Sequence, residues 1–384
     1  MESLAPREHF PILEDNVYLN AASISLVPGP VQQEVHEFDQ AVSYAGTVNF
    51  DDAAENRVYE GVREAAGRLI GADPVDIAVM TSATEALCSL AWWLRPGEGS
   101  NVVSIDLEFP SVTYPWLRIA QDFGSEVRLV PARDDPASLS IESLAGAVDD
   151  RTAVICVSHV QYASGHRFDI GQLSELARAH DAFLIVDATQ SAGVAPIDLH
   201  GYDVDVLLSS SYKWLCGLCG AAFCYLKPEV SERFQPPLVG WRTTGEGALA
   251  FDATSITLSP GGRRMEYGTV AYGAGISLGA AIRYLLGFGI ERILEHTQAL
   301  GDRLIEGLDP LGGELITPRD RNRRAGIVSA TFPGHAAEDL AAKLAEEGVH
   351  VASRLGGVRF APHLFSSSDD IDRALEALGR ALEG

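Results

Sequence analysis

The stretch FLIVDATQSAGVAPIDLHGYDVDVLLSSSYKWLCG, residues 183–217, constrains the chain most. It opens on a short apolar run, Phe183–Val186, the mark of a parallel strand buried on both faces. The run stops on Asp187. A second apolar run, Val204–Leu208, stops in Ser209-Ser210-Ser211-Tyr212-Lys213. An acid and a lysine are thus set at the ends of two strands, the edge where ligands collect in open α/β sheets. The same rhythm runs along the chain. Strands are expected at 77–80, 101–105, 126–130 and 153–158, with helices at 85–94, 112–123 and 170–180 between them. Such alternation implies an α/β fold with a mostly parallel sheet covered by helices on both faces.

One chemistry needs that pair. Pyridoxal 5'-phosphate is held as a Schiff base on a lysine, and a carboxylate opposite its ring nitrogen keeps that nitrogen protonated as an electron sink. A lone strand-end Asp is ordinarily a cap or loop acid, and a lone Lys a solvated charge. Neither suits a lysine set between a buried strand and an apolar run. The chain holds three lysines, Lys213, Lys227 and Lys343. Lys227 precedes Pro228 in a loop, and Lys343 lies on the amphipathic helix AAEDLAAKLAEEG. Lys213 is the Schiff-base candidate.

VDATQSAG followed by SSSYKWLCG resembles the class V aminotransferases, a group that includes cysteine desulfurases, isopenicillin N epimerase-like proteins, kynureninase and several C–S lyases. The resemblance covers nearly the whole chain. It implies a seven-stranded sheet of the fold-type I pyridoxal-phosphate enzymes, with Lys213 catalytic and Asp187 on the ring nitrogen. In Thr81-Ser82-Ala83-Thr84-Glu85, hydroxyl residues open a helix whose free amides suit a phosphate. Alone this reads as an N-cap by Ser82 or Thr84; the resemblance makes Ala83 and Thr84 phosphate contacts. Phe109 stands where the desulfurase branch stacks a histidine on the ring. It can stack but cannot move a proton.

The resemblance also gives Gln161 or its neighbour Tyr162, and Gln190, to the cofactor's phenolic oxygen. Ser210 and Tyr212 fall where the family carries Ser and His on the phosphate, so a hydrogen-bond donor is kept and a possible charge removed. Thr269, in RMEYGT, matches a threonine that reaches the partner's phosphate, which implies a homodimer with a composite active site. Asn20, in VYLNAA, is placed at the substrate mouth. Arg359, in RLGGVRFAPHLF, is placed on the α-carboxylate of an amino-acid substrate, where a planar fork suits bidentate binding. His159 reads as a packed histidine.

The 384 residues suffice for two domains. A large cofactor-binding domain is expected over 17–270 and a smaller α+β domain over 271–384, with residues 1–16 a loosely docked arm. The small domain should hold strands at 326–332, 349–352 and 358–361. A Gly-, Thr- and Ser-rich loop is expected over 236–260, a length that usually carries function. The net charge of −24 argues against nucleic acid and anionic membranes as partners. No basic start precedes an apolar segment, and no run reaches the length of a membrane span. Five cysteines, an odd number, fit a reducing cytoplasm. Cys216-x-x-Cys219 has no second pair for a metal, so no metal site is expected. Neither a dinucleotide fingerprint nor a P-loop is in place.

Desulfurases carry a persulfide-forming cysteine on a loop shortly before the carboxylate arginine. Here four residues separate Arg354 from Arg359, and no cysteine lies beyond Cys224. The reading is therefore a lyase that removes a proton from Cα and eliminates a β-substituent of C–S type. Transamination and epimerisation are the alternatives. A cofactor-less binding protein is a remote one, opposed by the presence of both Asp187 and Lys213.

Overall fold

The computed structural model describes residues 1–244 and 253–383. Residues 245–252, inside the loop expected over 236–260, lie outside the described residues. The chain begins with β1 (Val17–Tyr18), α1 (Gly29–Ala45) and α2 (Asp52–Ile70). Strand and helix then alternate through β2 (Ile77–Met80), α3 (Ala83–Leu94), β3 (Asn101–Ile105), α4 (Pro110–Phe123), β4 (Glu126–Val130), α5 (Ile141–Ala145), β5 (Thr152–Ser158), α6 (Ile170–Ala179), β6 (Phe183–Asp187), β7 (Val206–Ser210), β8 (Ala222–Leu226) and α7 (Pro228–Arg233).

β2 to β8 form one seven-stranded sheet in the order β2-β8-β7-β6-β5-β3-β4. Only β8 runs against its neighbours, β2 and β7; the other pairs are parallel. The side chains alternate between two cores, as a strand's period of two requires. Val103, Ile155, Leu184, Val186 and Leu207 face α2 and α6. Val102, Val154, Ile185, Val206 and Leu208 face α3 and α4. Both faces are apolar, which is why these strands show no polar alternation in the sequence.

The local signals act where expected. Gly71, at φ 65°, ends α2. Asp169 caps α6 through the Gln172 amide. Ser82 caps α3, which therefore starts at Ala83 rather than at the expected 85.

The remaining elements are α8 (Tyr272–Phe288), α9 (Ile290–Leu308), β9 (Glu314–Leu315), β10 (Val328–Thr331), α10 (Ala337–Glu346), β11 (Val349–His350), β12 (Ala352–Arg354), β13 (Gly357–Phe360) and α11 (Ser368–Glu383). β12-β13-β10-β9 is an antiparallel sheet, and β11 pairs instead with β1. The cores do not separate at 270/271. Leu278, Ile282 and Leu285 of α8 lie in the large core, and α9 enters the small core only from Leu300. Nor does the large unit begin at 17, because Val17 and Leu19 pack in the small core. The N-terminal arm is tied to both units: Arg7 pairs with Asp370 of α11 at 2.7 Å, while Ala5, Phe10 and Leu13 pack in the large core, where the Leu4 amide donates to the Leu364 carbonyl oxygen at 2.8 Å. Among the described residues no single helix is long and apolar enough to cross a membrane.

Candidate active site

β5, β6 and β7 end side by side. Their register sets Ser158 beside Asp187 and Asp187 beside Leu208, with Ser210 at the end of β7. Because β8 is antiparallel to β7, the chain must turn back directly above this edge. The Ser211 amide bonds the Ala221 carbonyl oxygen at 3.1 Å, and the Cys216 amide bonds that of Lys213 at 2.9 Å. This return carries Lys213. Beneath it Gly193, at φ 95°, lies so close that a Cβ would come within 2.4 Å of the Trp214 carbonyl oxygen.

Lys213 and Asp187 are 8% and 7% exposed. Burial lowers the Lys213 amine to about 8; Asp187 opposes the shift and Arg359 and Arg354 add to it. Burial raises the Asp187 carboxyl, resisted by hydrogen bonds from Thr189 and by the Lys213 charge. The other lysines are engaged elsewhere: Lys227 with Asp203 at 2.5 Å, Lys343 with the Ala381 carbonyl oxygen at 3.0 Å.

One cavity gathers Lys213, Asp187, Gln190, Ser210 and Tyr212 with Ala83, Thr84 and Phe109. These are eight of the residues expected from the sequence. The Lys213 Nζ lies 5.2 Å from the Phe109 ring centroid. Gln190 is fixed on both sides of its amide: Trp214 Nε1 donates to Oε1 at 2.7 Å, and Nε2 donates to the Ala22 carbonyl oxygen at 3.1 Å. At the opposite end, the first turn of α3 leaves amides outside its own ladder. Ser82 Oγ takes that of Glu85, and the Ala83 amide reaches Ser210 Oγ at 3.4 Å.

Four expected residues, Gln161, Thr269, Asn20 and Arg359, do not line this cavity. Gln161 is buried behind the cavity, its Nε2 donating to Glu108 Oε1 at 2.8 Å. Its neighbour Tyr162 lines the cavity instead, edge-on to Phe109 at 5.7 Å. A slip of one residue exchanges the two sides of an extended segment. Thr269 is exposed in the turn before α8, in contact with Tyr272, and does not line this chain's cavity. Asn20 does not line it either. Its backbone bridges to Ala361, and its Oδ1 is buried without a partner. His159 is buried and held neutral, its imidazole lowered to about 3 by burial.

Arg359 is 1% exposed. It donates to the Tyr162 carbonyl oxygen at 2.7 Å and to Ser23 Oγ at 2.6 Å, while its Nε has no partner. Burial lowers the guanidinium to about 9. Residues 20–23 thus join the two units, because Ala22 holds Gln190 and Ser23 holds Arg359. Glu108 is the acid that the sequence reading passed over. It accepts from the Ser158 amide at 2.7 Å, Ser158 Oγ at 2.5 Å and Gln161 Nε2, and burial raises its carboxyl to about 7. The available signal was a glutamate between the end of β3 and the proline that opens α4.

The cavity's groups fit pyridoxal phosphate: a buried amine, a buried acid, an aromatic wall, and helix amides with hydroxyls at one end. Fold and site define a fold-type I pyridoxal-phosphate enzyme. Within that class the chain belongs to the class-V aminotransferase family, whose model (Aminotransferase class-V) matches residues 17–366. An uncharacterized aminotransferase YcbU of Bacillus subtilis (strain 168) is 28% identical, covering 97% of this chain and 96% of the relative. A probable cysteine desulfurase of Pyrococcus abyssi is also 28% identical, over 97% and 96%. The apo structure of a cysteine desulfurase from Thermococcus onnurineus NA1 superposes with a TM-score of 0.88 at 26% identity, covering 100% of both chains.

Proposed function

We propose that this enzyme is a lyase that eliminates a β-substituent, of C–S type, from an α-amino acid without a persulfide cysteine. The observation that carries the reading is the β12–β13 turn. Arg354 pairs with Gly357, and the connection is Leu355 and Gly356, at φ 51° and 71°. A turn so short holds no cysteine-bearing loop before Arg359. Cys156, Cys216 and Cys224 are buried, and burial raises all three thiols.

In this reaction Arg359 takes the α-carboxylate, and its neighbours Ser23 and Tyr162 fix the fork. A neutral Lys213 amine accepts the Cα proton, a role for which its lowered basicity suits it. The bound cofactor supplies the electron sink. The C–S bond breaks with its electron pair on sulfur, and the proton held on Lys213 goes to that sulfur. The three-carbon remainder takes up water to give pyruvate and ammonium. Phe109 carries no titratable group, so the proton transfers fall to Lys213.

A desulfurase is the second reading, favoured by the names of the relatives. Its thiol would be the exposed Cys219, whose charge bears on Tyr212 in the cavity wall. Incubation with cysteine, cystine and S-alkyl cysteines, with and without a keto acid, separates the readings. The lyase gives pyruvate in step with released sulfur, and Cys219→Ala retains it. Alanine as the product, lost in Cys219→Ala, would overturn the proposal. Release of a keto acid only when a second keto acid is supplied would make the enzyme an aminotransferase.

The working unit in this proposal is a homodimer in the cytoplasm. Thr269 is exposed and outside its own cavity, so it is free to complete the phosphate site of a second copy. Cofactor retention should then fall as dilution dissociates the dimer. A fully loaded, fully active monomer in sedimentation would end that part of the proposal.

A further inference from the structure

The β12–β13 hairpin carries a second guanidinium that the elimination does not use. Its register sets Arg354 opposite Gly357 and Ala352 opposite Arg359. Cross-strand partners share a face, as do residues two apart along a strand. Arg354 and Arg359 therefore stand on the same face. Arg359 marks which face that is, since its fork bonds the Tyr162 carbonyl oxygen and Tyr162 lines the Lys213 cavity.

Arg354 is half-buried, and its hydrogen bond goes to the Ser353 carbonyl oxygen at 2.6 Å. Among the described residues it forms no ion pair. Arg303 and Arg380, by contrast, are paired with Asp372 and Glu347. Arg354 instead lies near enough to Arg359 and Lys213 for its charge to depress both. Two guanidinium groups therefore stand beside the Lys213 cavity, on one face of the hairpin. Asp187, in the cavity's lining, would hold the ring nitrogen's proton, and Arg359 would be used by the α-carboxylate. The charge of the half-buried Arg354 is left over.

We propose that Arg354 binds a second anionic group at the far end of the substrate's side chain, so that the preferred substrate is an amino acid ending in a carboxylate. This rests on the reading of Arg359 as the α-carboxylate site. A substrate with a neutral side chain leaves the Arg354 guanidinium without an anion. An acidic one places an anion against each guanidinium, and planar forks suit both.

The test is calorimetric titration of the holoenzyme with succinate, glutarate and adipate, and with monocarboxylates of the same chain lengths. None carries an amine, so binding is read without turnover. At least one diacid should bind about tenfold or more tighter than its monocarboxylate. Arg354→Ala should bring that diacid down to the monocarboxylate's level and leave the monocarboxylate unchanged. Arg354→Lys should keep part of the preference, because the charge survives without the fork. Arg359→Ala should weaken both acids, which locates them in the site. Diacids no tighter than monoacids in the wild-type enzyme, or an Arg354→Ala variant that weakens both classes alike or neither, would overturn the inference. The proposed elimination is judged separately, by pyruvate release. An enzyme that makes pyruvate but ignores diacids keeps the reaction and loses the second anion site.

Discussion

The carboxyl edge of the large sheet lines the cavity, the β12–β13 hairpin of the small sheet meets it through the bond from Arg359 to Tyr162, and their electrostatics are opposite. At the edge, the buried ionisable groups include two acids, Asp187 and Glu108, and an amine that burial pushes toward neutrality, with the neutral His159 beside them. Around them are amide and hydroxyl donors from Ser158, Thr189 and the start of α3. The hairpin presents Arg359 and Arg354, answered only by neutral acceptors. Preset dipoles and a buried acid suit a phosphate and a protonated ring, whatever the substrate. Unanswered cations suit an anion that comes and goes. Damage at the edge should therefore stop the chemistry for every substrate, and damage at the hairpin should change which substrates are accepted.

The largest effect should come from Lys213→Ala. Removing the general base costs on the order of 10²–10⁴ in rate, and here the cofactor's anchor goes with it. Turnover should vanish for all substrates alike, together with the visible absorbance of lysine-bound cofactor. A retained visible band would refute the assignment. Lys213 also gives a pH test in the apoenzyme. Its folded value of about 8 lies below its ordinary 10.5. Between those pH values the unfolded chain binds a proton that the folded chain does not, so stability rises with pH across that window. Lys213→Met should flatten the rise; an unchanged slope in urea unfolding would show that Lys213 is not buried as a free amine.

Arg359→Ala tests the other side of the comparison. Losing one member of a desolvated charged pair costs roughly 2–5 kcal/mol, and each ~1.4 kcal/mol is tenfold. An amino acid should lose at least about tenfold in kcat/KM, while its decarboxylated amine analogue, which never used the contact, should be spared. Arg359→Lys should recover little. Equal losses for both compounds would reduce Arg359 to a structural role and move the carboxylate to Arg354.

The two regions also differ in how much of them can be read along the chain. The edge was legible because each part has a local signature: apolar runs that stop on Asp187 and Ser209, a scarce lysine, and hydroxyls at a helix start. What escaped depended on meetings between distant segments. Ser23 and Arg359 lie 336 residues apart, and nothing near Ser23 announces the contact. Glu108 becomes notable only when β3 is set beside β5. The choice between Gln161 and Tyr162 turned on which side of one link faces the cavity, and no local period settles that. The side of the 270/271 boundary on which α8 packs is hard to read for a related reason. The small-residue apolar pattern of α8 marks a buried helix without saying which core buries it.

The smallest effect separates two roles that share one helix start. Ser82 and Thr84 could each serve as the cap of α3 or as a phosphate contact, and the structure gives them different partners. Ser82 Oγ accepts from the Glu85 amide at 3.1 Å, the geometry of a cap. Thr84 is exposed on the cavity wall, its hydroxyl 2.8 Å from that of Ser111. Ser82→Ala should therefore cost the apoenzyme ~1 kcal/mol, the usual loss of a cap, seen as a lower urea midpoint with an unchanged slope. Thr84→Ala should leave apoenzyme stability within about 0.5 kcal/mol, as expected for an exposed site. It should instead weaken cofactor binding, measured by equilibrium dialysis. The reverse pattern, with Thr84→Ala unstable and Ser82→Ala slow to load, would show that the helix start is read the wrong way round, with Thr84 as the cap and Ser82 on the phosphate.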